Sequence, residues 1–471
     1  MQETLLNIVA KANAYLSDYI LIVLLVGVGL FFSIKTRFVQ VRCFGEGMRN
    51  VFGNLKFRGG KQASGLSSFQ ALATAIAAQV GTGNIVGASG AILIGGPGAI
   101  FWMWIIAFLG MATIYSEAVL AQETRVKDEN GEIHGGPVYY IKRAFPNGFG
   151  TFLSVFFAIA AVLALGFMGS MVQSNSIGET CNTAFGIPTW VMGAVVAAIA
   201  AVIFIGGVQR LASVTEKIVP IMALLYIVGG LVILCVRIKF IPETLGMIFK
   251  YAFTPDALIG GGIGYALKTA ISQGAKRGLF SNEAGMGSTP HAHAMANVEK
   301  PHDQGVAAMI GVFIDTFVVL TMTALVVISC LYAGNGPLAG LMGDAYVAAT
   351  SGAEAIVSKT NAMQQAFTLA LPIGNLGNIF VAICLFFFAF STILSWNFFG
   401  KLNAQYLTKN SKVGTILYAV ISIVFIFTGS ILSNDLVWEL TDFFNYLMVI
   451  PNVIALVALY KLVAKSAKKD K

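Results

Sequence analysis

Ala77-Ala78-Gln79-Val80-Gly81-Thr82-Gly83-Asn84-Ile85-Val86-Gly87 lies in the middle of an apolar segment from about Ser67 to Ile94, long enough to cross a bilayer. Gly81, Gly83 and Asn84 are poor helix formers. A helix that breaks here frees N–H and C=O groups that lipid cannot satisfy, so they must face a cavity, a ligand or an ion. The outgoing half-helix would aim N–H groups near Thr82 and Gly83 at an anion. The incoming half would offer carbonyls from Ala77 to Val80 to a cation. A carboxylate and a small cation could then share one site at the midplane. The same glycines also suit a continuous helix packed closely on a neighbour, and this stretch alone leaves both readings open.

Outward from that stretch, the 471-residue chain is 57% hydrophobic and 11% charged, against about 25% charged in a soluble domain. It reads as a polytopic, all-α membrane protein. The net charge of +8 does not mark a nucleic-acid binder, because the basic residues cluster in short loops between apolar segments. The start, MQETLLNIVAKANAYL, has no basic n-region and no clear cleavage site, so no signal peptide is expected. Cys43, Cys181, Cys235, Cys330 and Cys384 are scattered and form no CxxC pair, which argues against a zinc or disulfide framework. The alternative is a Cys181–Cys330 bridge outside the cell.

Eleven apolar segments lie at roughly 15–34, 67–94, 98–122, 150–177, 189–208, 215–236, 259–290, 304–333, 374–404, 412–431 and 435–462. If eleven spans alternate, Lys35, Arg37, Arg42, Arg49, Lys56, Arg58, Lys61, Arg125, Lys127, Lys142, Arg143, Arg210, Lys217, Lys300, Lys401, Lys409, Lys412 and the lysines of the tail share one side. The other side keeps Lys11, Arg237, Lys239, Lys250 and Lys359. That asymmetry predicts an N-terminus outside and a C-terminus in the cytoplasm. The long outer connection 335–373 reads as a short amphipathic helix over the external mouth, either a lid or a plain surface helix.

With the first span set aside, ten remain, five and five. The segment 67–94 opens one half; 259–290, interrupted by GLFSNEAGMGS at Gly278–Ser288, opens the other. An odd number of spans per half inverts one half relative to the other. Matched interruptions in inverted halves point to a transporter binding site. The expected division is 1–66 for the first helix and basic loop, 67–236 and 237–462 for the two five-helix repeats, and 463–471 for the tail.

GPGAIFWMWIIAFLG at Gly96–Gly110 resembles the signature of the alanine or glycine:cation symporter (sodium:alanine symporter) family. GTGNIVG at Gly81–Gly87, HGGPVYYI at His134–Ile141 and GLFSNEAGMGS are similar to further motifs of that family. The resemblance implies a LeuT-type fold, one N-terminal helix before a five-plus-five core with broken first and sixth core helices. It also implies sodium-coupled uptake of a small neutral amino acid, alanine or glycine, at a prokaryotic plasma membrane; some relatives use protons. Laid on Val80-Gly81-Thr82-Gly83-Asn84, it puts the substrate carboxylate at the amides near Thr82 and Gly83. The sodium ion falls to the carbonyls of Ala77 and Val80, with Ser391 and Thr392 of FFFAFSTILSW as side-chain partners. Neutral oxygen ligands suit a monovalent hard cation. Such hydroxyls also bond back to their own helix.

Gln173, Gln79 and Asn282 are candidate substrate partners, and interhelical hydrogen bonds are the plainer role for the first. Phe280 is placed as an apolar wall. Trp396, four residues after Thr392 on the same helical face, is placed as a pocket floor. Among charged residues in the spans, Glu283 is expected to pair with Lys276 or Arg277, and Glu117 to be solvated near its helix end. Asp315 is read as a structural pair, a cation ligand or a proton carrier. His291 and His293 lack a third metal ligand and are expected in a cytoplasmic loop. GGGIG at Gly260–Gly264 follows no strand and is no dinucleotide site. The competing classes are a membrane enzyme, for which no nucleophile–base motif is present, and a channel or non-transporting amino-acid sensor. Oligomeric state is not readable.

Overall fold

Ser67 starts the first half-helix with a reciprocal cap. Its Oγ accepts from the Gln70 N–H at 3.1 Å, and Gln70 Oε1 accepts from the Ser67 N–H at 3.2 Å. The helix Ser68–Gln79 runs until the Val80 N–H meets Ile76 O at 2.8 Å. The chain then turns by 44° into the half-helix Gly83–Gly95. The structure is a computed structural model that describes residues 2–53, 66–127, 132–205, 207–255, 258, 262–351 and 355–468.

Among the described residues, eight helices are long and apolar enough to span a membrane, nine if the bent pair is one span. Thr189–Ile205 is apolar but shorter. Ile263–Asn282 ends at Asn282, where Glu283 enters the left-handed region (φ 59°), so the apolar segment over 259–290 breaks inside its GLFSNEAGMGS run. Gly285 (φ 94°) and Gly287 (φ 82°) continue an irregular turn that few other residues adopt. Pro290–Ala294 then resumes as a short buried helix. Among the described residues, extended pairing is limited to an antiparallel ribbon that joins Val126 to His134 and Lys127 to Ile133, and a parallel bridge between Leu66 and Ala296.

The outer surface is apolar, as a lipid-facing surface should be: Ile205 is 85% exposed and Leu224 65%. The interior is polar at one level. Ala99–Thr124 packs on Pro301–Val312 and on Ile263–Asn282, and Gly169–Phe185 packs on Leu376–Leu407. Ser68–Gln79 lies against Leu376–Leu407, while Ala88–Gly95 lies against Ile263–Asn282. The two breaks meet where Gly83 faces Phe280 and Ser281. A Cβ on Gly83 would stand 2.9 Å from Phe280 Cδ1 and 3.1 Å from Ser281 Cα.

In the connection 335–373 the short helix Gly343–Thr350 is not simply laid on the surface. Tyr346 is buried, and its hydroxyl donates to Ile92 O (3.2 Å) or Leu93 O (2.9 Å), capping the outgoing half-helix. Cys181 and Cys330 form no disulfide. Residues 260 and 261 of the GGGIG run lie outside the described residues.

Candidate binding site at the two helix breaks

In an unbroken helix Ala77 O and Ala78 O would accept from the N–H groups of Gly81 and Thr82. Here the Gly81 N–H donates to Asn84 Oδ1 at 3.0 Å, and the Thr82 N–H donates to Gln173 Oε1 at 3.1 Å. The two carbonyls are thereby turned over to Leu376–Leu407. Thr392 Oγ1 lies 2.9 Å from Ala77 O, 3.3 Å from Ala78 O and 3.1 Å from Phe388 O. Ser391 Oγ lies 3.4 Å from Ala77 O and 2.9 Å from Phe388 O. Two hydroxyl protons thus face three carbonyl oxygens in a fully buried spot. If both protons turn to Phe388 O, the lone pairs of both hydroxyls, Ala77 O and Ala78 O are left for a small cation. Val80 sits at the break itself (φ −81°, ψ 88°), without a hydroxyl contact of this kind among those described.

The expected substrate residues gather at the same level. Gln79, Thr82, Gln173, Phe280, Asn282 and Trp396 are each no more than 3% exposed, and Gly83 is buried. Gln79 Nε2 donates to Asn282 O at 2.8 Å, joining the incoming ends of both broken helices. Asn282 Nδ2 donates to Thr316 Oγ1 at 3.3 Å. Gln79 Oε1, Thr82 Oγ1 and Gln173 Nε2 are buried without hydrogen-bond partners among the described residues. Buried polar atoms in that condition are costly, so this environment suits a ligand carrying both charges. Phe280 stands edge-on to Trp396 (5.5 Å between centroids) and against Trp438 (4.7 Å). The three rings form one continuous aromatic cluster.

The charged residues differ from expectation. Glu283 does not pair with Lys276 or Arg277. It accepts from Trp396 Nε1 at 2.5 Å and from Ser288 Oγ, so the Trp396 indole also holds the second break. Arg277 instead pairs with Asp442 at 2.9 Å and stacks over Trp438 at 4.6 Å. Six residues along a helix turn about 240°, so closeness in sequence did not bring Arg277 to Glu283. Glu117 is not solvated. Fully buried, it accepts from the Gly285 and Gly287 N–H groups, both at 3.0 Å, and from Asn452 Nδ2 at 2.7 Å. His291 and His293 are buried as well, against Asn403 and Gln304.

Asp315 lies where the two breaks meet. It sits in a wide turn, Phe313–Leu320, and accepts from Asn84 Nδ2 at 2.6 Å, Ser281 Oγ at 2.8 Å and Thr316 Oγ1 at 2.9 Å. Asn84, Ser281 and Thr316 were not singled out as site residues from sequence, although Asn84 and Ser281 fall inside the quoted motifs. Their shared partner is the signal that sequence lacks.

Two broken helices crossing at a buried polar centre, inside a shell of membrane-length helices, define a multi-pass transporter of LeuT-type architecture. The solved structure of MhsT in complex with L-phenylalanine has that likeness, with a TM-score of 0.57 over 87% of this chain and 100% of the other, at 13% identity. The chain matches the sodium:alanine symporter family over residues 2–470 and belongs to it. It is 39% identical over 464 residues to the sodium/alanine symporter AgcS of Methanococcus maripaludis, covering 98% of this chain and 96% of the relative. It is 41% identical over 458 residues to a putative sodium/proton-dependent alanine carrier of Bacillus subtilis (97% and 90% covered). A probable sodium/glutamine symporter of the same organism is 37% identical over 468 residues (99% and 91%). The family is one of transporters, not enzymes.

Proposed function

We propose that the protein carries a small neutral amino acid, alanine or glycine, into the cell together with sodium, by alternating access. The observation that carries this reading is the surplus of oxygen acceptors over protons at Ala77, Ala78, Ser391 and Thr392, one turn from amides suited to a carboxylate. Sodium is assigned to Ala77 O, Ser391 and Thr392, with Val80 O completing the set as the carbonyl at the break. The substrate carboxylate is assigned to the Thr82 and Gly83 amides, with Gln79, Gln173 and Asn282 as polar partners. Phe280 and Trp396 bound the side chain. Ion and carboxylate bound side by side stabilise each other, and that coupling is reciprocal. The glutamine-named relative keeps substrate choice inside the test.

The spans are assigned as eleven, the first followed by inverted repeats at 67–236 and 237–462, with the C-terminus in the cytoplasm. Rocking of the broken helices against the rest would expose the site to each side in turn. Asp315 supports a second ion locus, because its carboxylate gathers hydroxyl and amide groups from both breaks. The test is uptake of labelled alanine, glycine and glutamine into proteoliposomes with an inward sodium gradient, a proton gradient, or neither. Accumulation driven by sodium and strongest for alanine or glycine is expected. Flux that only brings substrate to equal concentration on both sides, unaffected by either ion gradient, would point to a channel, and binding without flux to a sensor.

A further inference from the structure

The first long helix, Gln2–Lys35, ends at Lys35, and the chain then makes a turn that side chains resist. Arg37 (φ 57°) and Phe38 (φ 52°) are consecutive non-glycine residues in the left-handed region. The turn sends Phe38 outward, where it is 47% exposed beside Ile34 at 63% and Val41 at 61%. Behind it opens a cavity of about 370 Å³ lined by Lys35, Thr36, Arg37, Arg42, Ala464, Ala467 and Lys468. Four of these are cations, and among the described residues the lining holds no acidic side chain. Arg42 is fixed across the cavity by Thr36 O (3.3 Å) and Ala467 O (2.6 Å). The Lys35 ammonium lies over the Tyr460 ring at 5.1 Å. Basic residues at a membrane face ordinarily serve topology alone. Convergence on one walled cavity beside an exposed apolar strip is a different arrangement.

We propose that this cavity binds a phosphate group, and that its source is the headgroup of an anionic phospholipid whose acyl chains lie along Ile34, Phe38 and Val41. The four cations that line the cavity suit a phosphate's charge and acceptor oxygens. The apolar strip favours the lipid over free phosphate, since inorganic phosphate has no use for it. A bound headgroup would tie the end of the first helix to the tail helix Tyr460–Ser466.

The experiment is native mass spectrometry of the full-length protein in a non-ionic detergent, titrated separately with phosphatidylglycerol, phosphatidylcholine and inorganic phosphate. Arg37→Gln with Lys468→Gln removes two exposed cavity cations; Lys461→Gln with Lys465→Gln removes two from the same tail outside the lining. At roughly 5-fold per cation, phosphatidylglycerol affinity should fall about 25-fold in the cavity pair and stay unchanged in the control pair. Arg37→Lys with Lys468→Arg should restore it, which separates charge from misfolding. Equal loss in both pairs, no preference over phosphatidylcholine, or full displacement of the lipid by millimolar phosphate would each overturn the proposal.

Discussion

Replacing Ser391 by Ala and Thr392 by Val removes both hydroxyls while nearly keeping side-chain volume. In the ion-free protein the cost is local: Ala77 O, buried, loses its hydroxyl donor, which costs about 1–3 kcal/mol. With sodium the loss is larger. Each hydroxyl oxygen facing a cation contributes about 1.5–3 kcal/mol, so losing both removes roughly 3–6 kcal/mol. At about 1.4 kcal/mol per decade, the apparent sodium affinity falls by roughly two to four decades. Two assays read this. Sodium dependence of alanine uptake should shift far to higher concentration in the variant. Thermal unfolding in detergent should show sodium stabilising the parent by about 2.7 kcal/mol at 100-fold over its dissociation constant, and the variant by almost nothing at the same concentration. A folded variant with the parent's half-saturating sodium would refute the assignment of these hydroxyls. It would move the ion to Asp315.

Three further outcomes follow from the same geometry. Thr82→Leu, which adds bulk at a fully buried position beside the break, should abolish uptake at a stability cost of about 1–3 kcal/mol in sodium-free buffer; sodium-driven uptake in that variant would displace the proposed seat of the carboxylate. Gly83→Ala drives a Cβ to 2.9 Å from Phe280 Cδ1 and 3.1 Å from Ser281 Cα. Since one of those neighbours is backbone, the thermal unfolding assay should record a loss of about 1–3 kcal/mol, together with weaker alanine binding. Glu117→Gln keeps shape but sets an NH₂ against one of two N–H groups. It should lower stability by about 1–3 kcal/mol and leave half-saturating sodium unchanged, so a large shift in sodium dependence would make Glu117 part of the ion site.

The places where the chain breaks were legible because local chemistry sets them. Gly81, Gly83 and Asn84 weaken the first helix, and Gly285 and Gly287 allow the second to turn through positive φ. The Ser391–Thr392 pair was legible only through family resemblance, because adjacent hydroxyls in an apolar helix also bond their own carbonyls, as both do here to Phe388 O. What local pattern did not carry was partnership over distance. Glu117 and Gly285 are 168 residues apart, and nothing around either names the other. The same limit applies to Arg277 with Asp442, and to the burial of His291 and His293. The first core span is likewise complete only when its two half-helices, Ser68–Gln79 and Gly83–Gly95, are taken together.

The two breaks are not equivalent as seats for a carboxylate. The amides of Gly285 and Gly287 in the second already hold one, that of Glu117. A substrate competing there would strip the buried Glu117 carboxyl of two backbone donors, at about 1–3 kcal/mol for each hydrogen bond left unmade. In the first break the Thr82 amide is held by the neutral oxygen of Gln173. Releasing it forfeits one neutral hydrogen bond, a net of about 1 kcal/mol. The incoming carboxylate then makes a charge-assisted bond to the same N–H, roughly twice as strong as the one it replaces. Gln173, once displaced, still has an Nε2 group without a partner among the described residues, and that group can donate to the same carboxylate. Exchange is therefore downhill at Thr82 and uphill at Gly285. On the proposed assignment the second break, held by Glu117 and Trp396, would be the fixed counterpart against which the first opens and closes around its ligand.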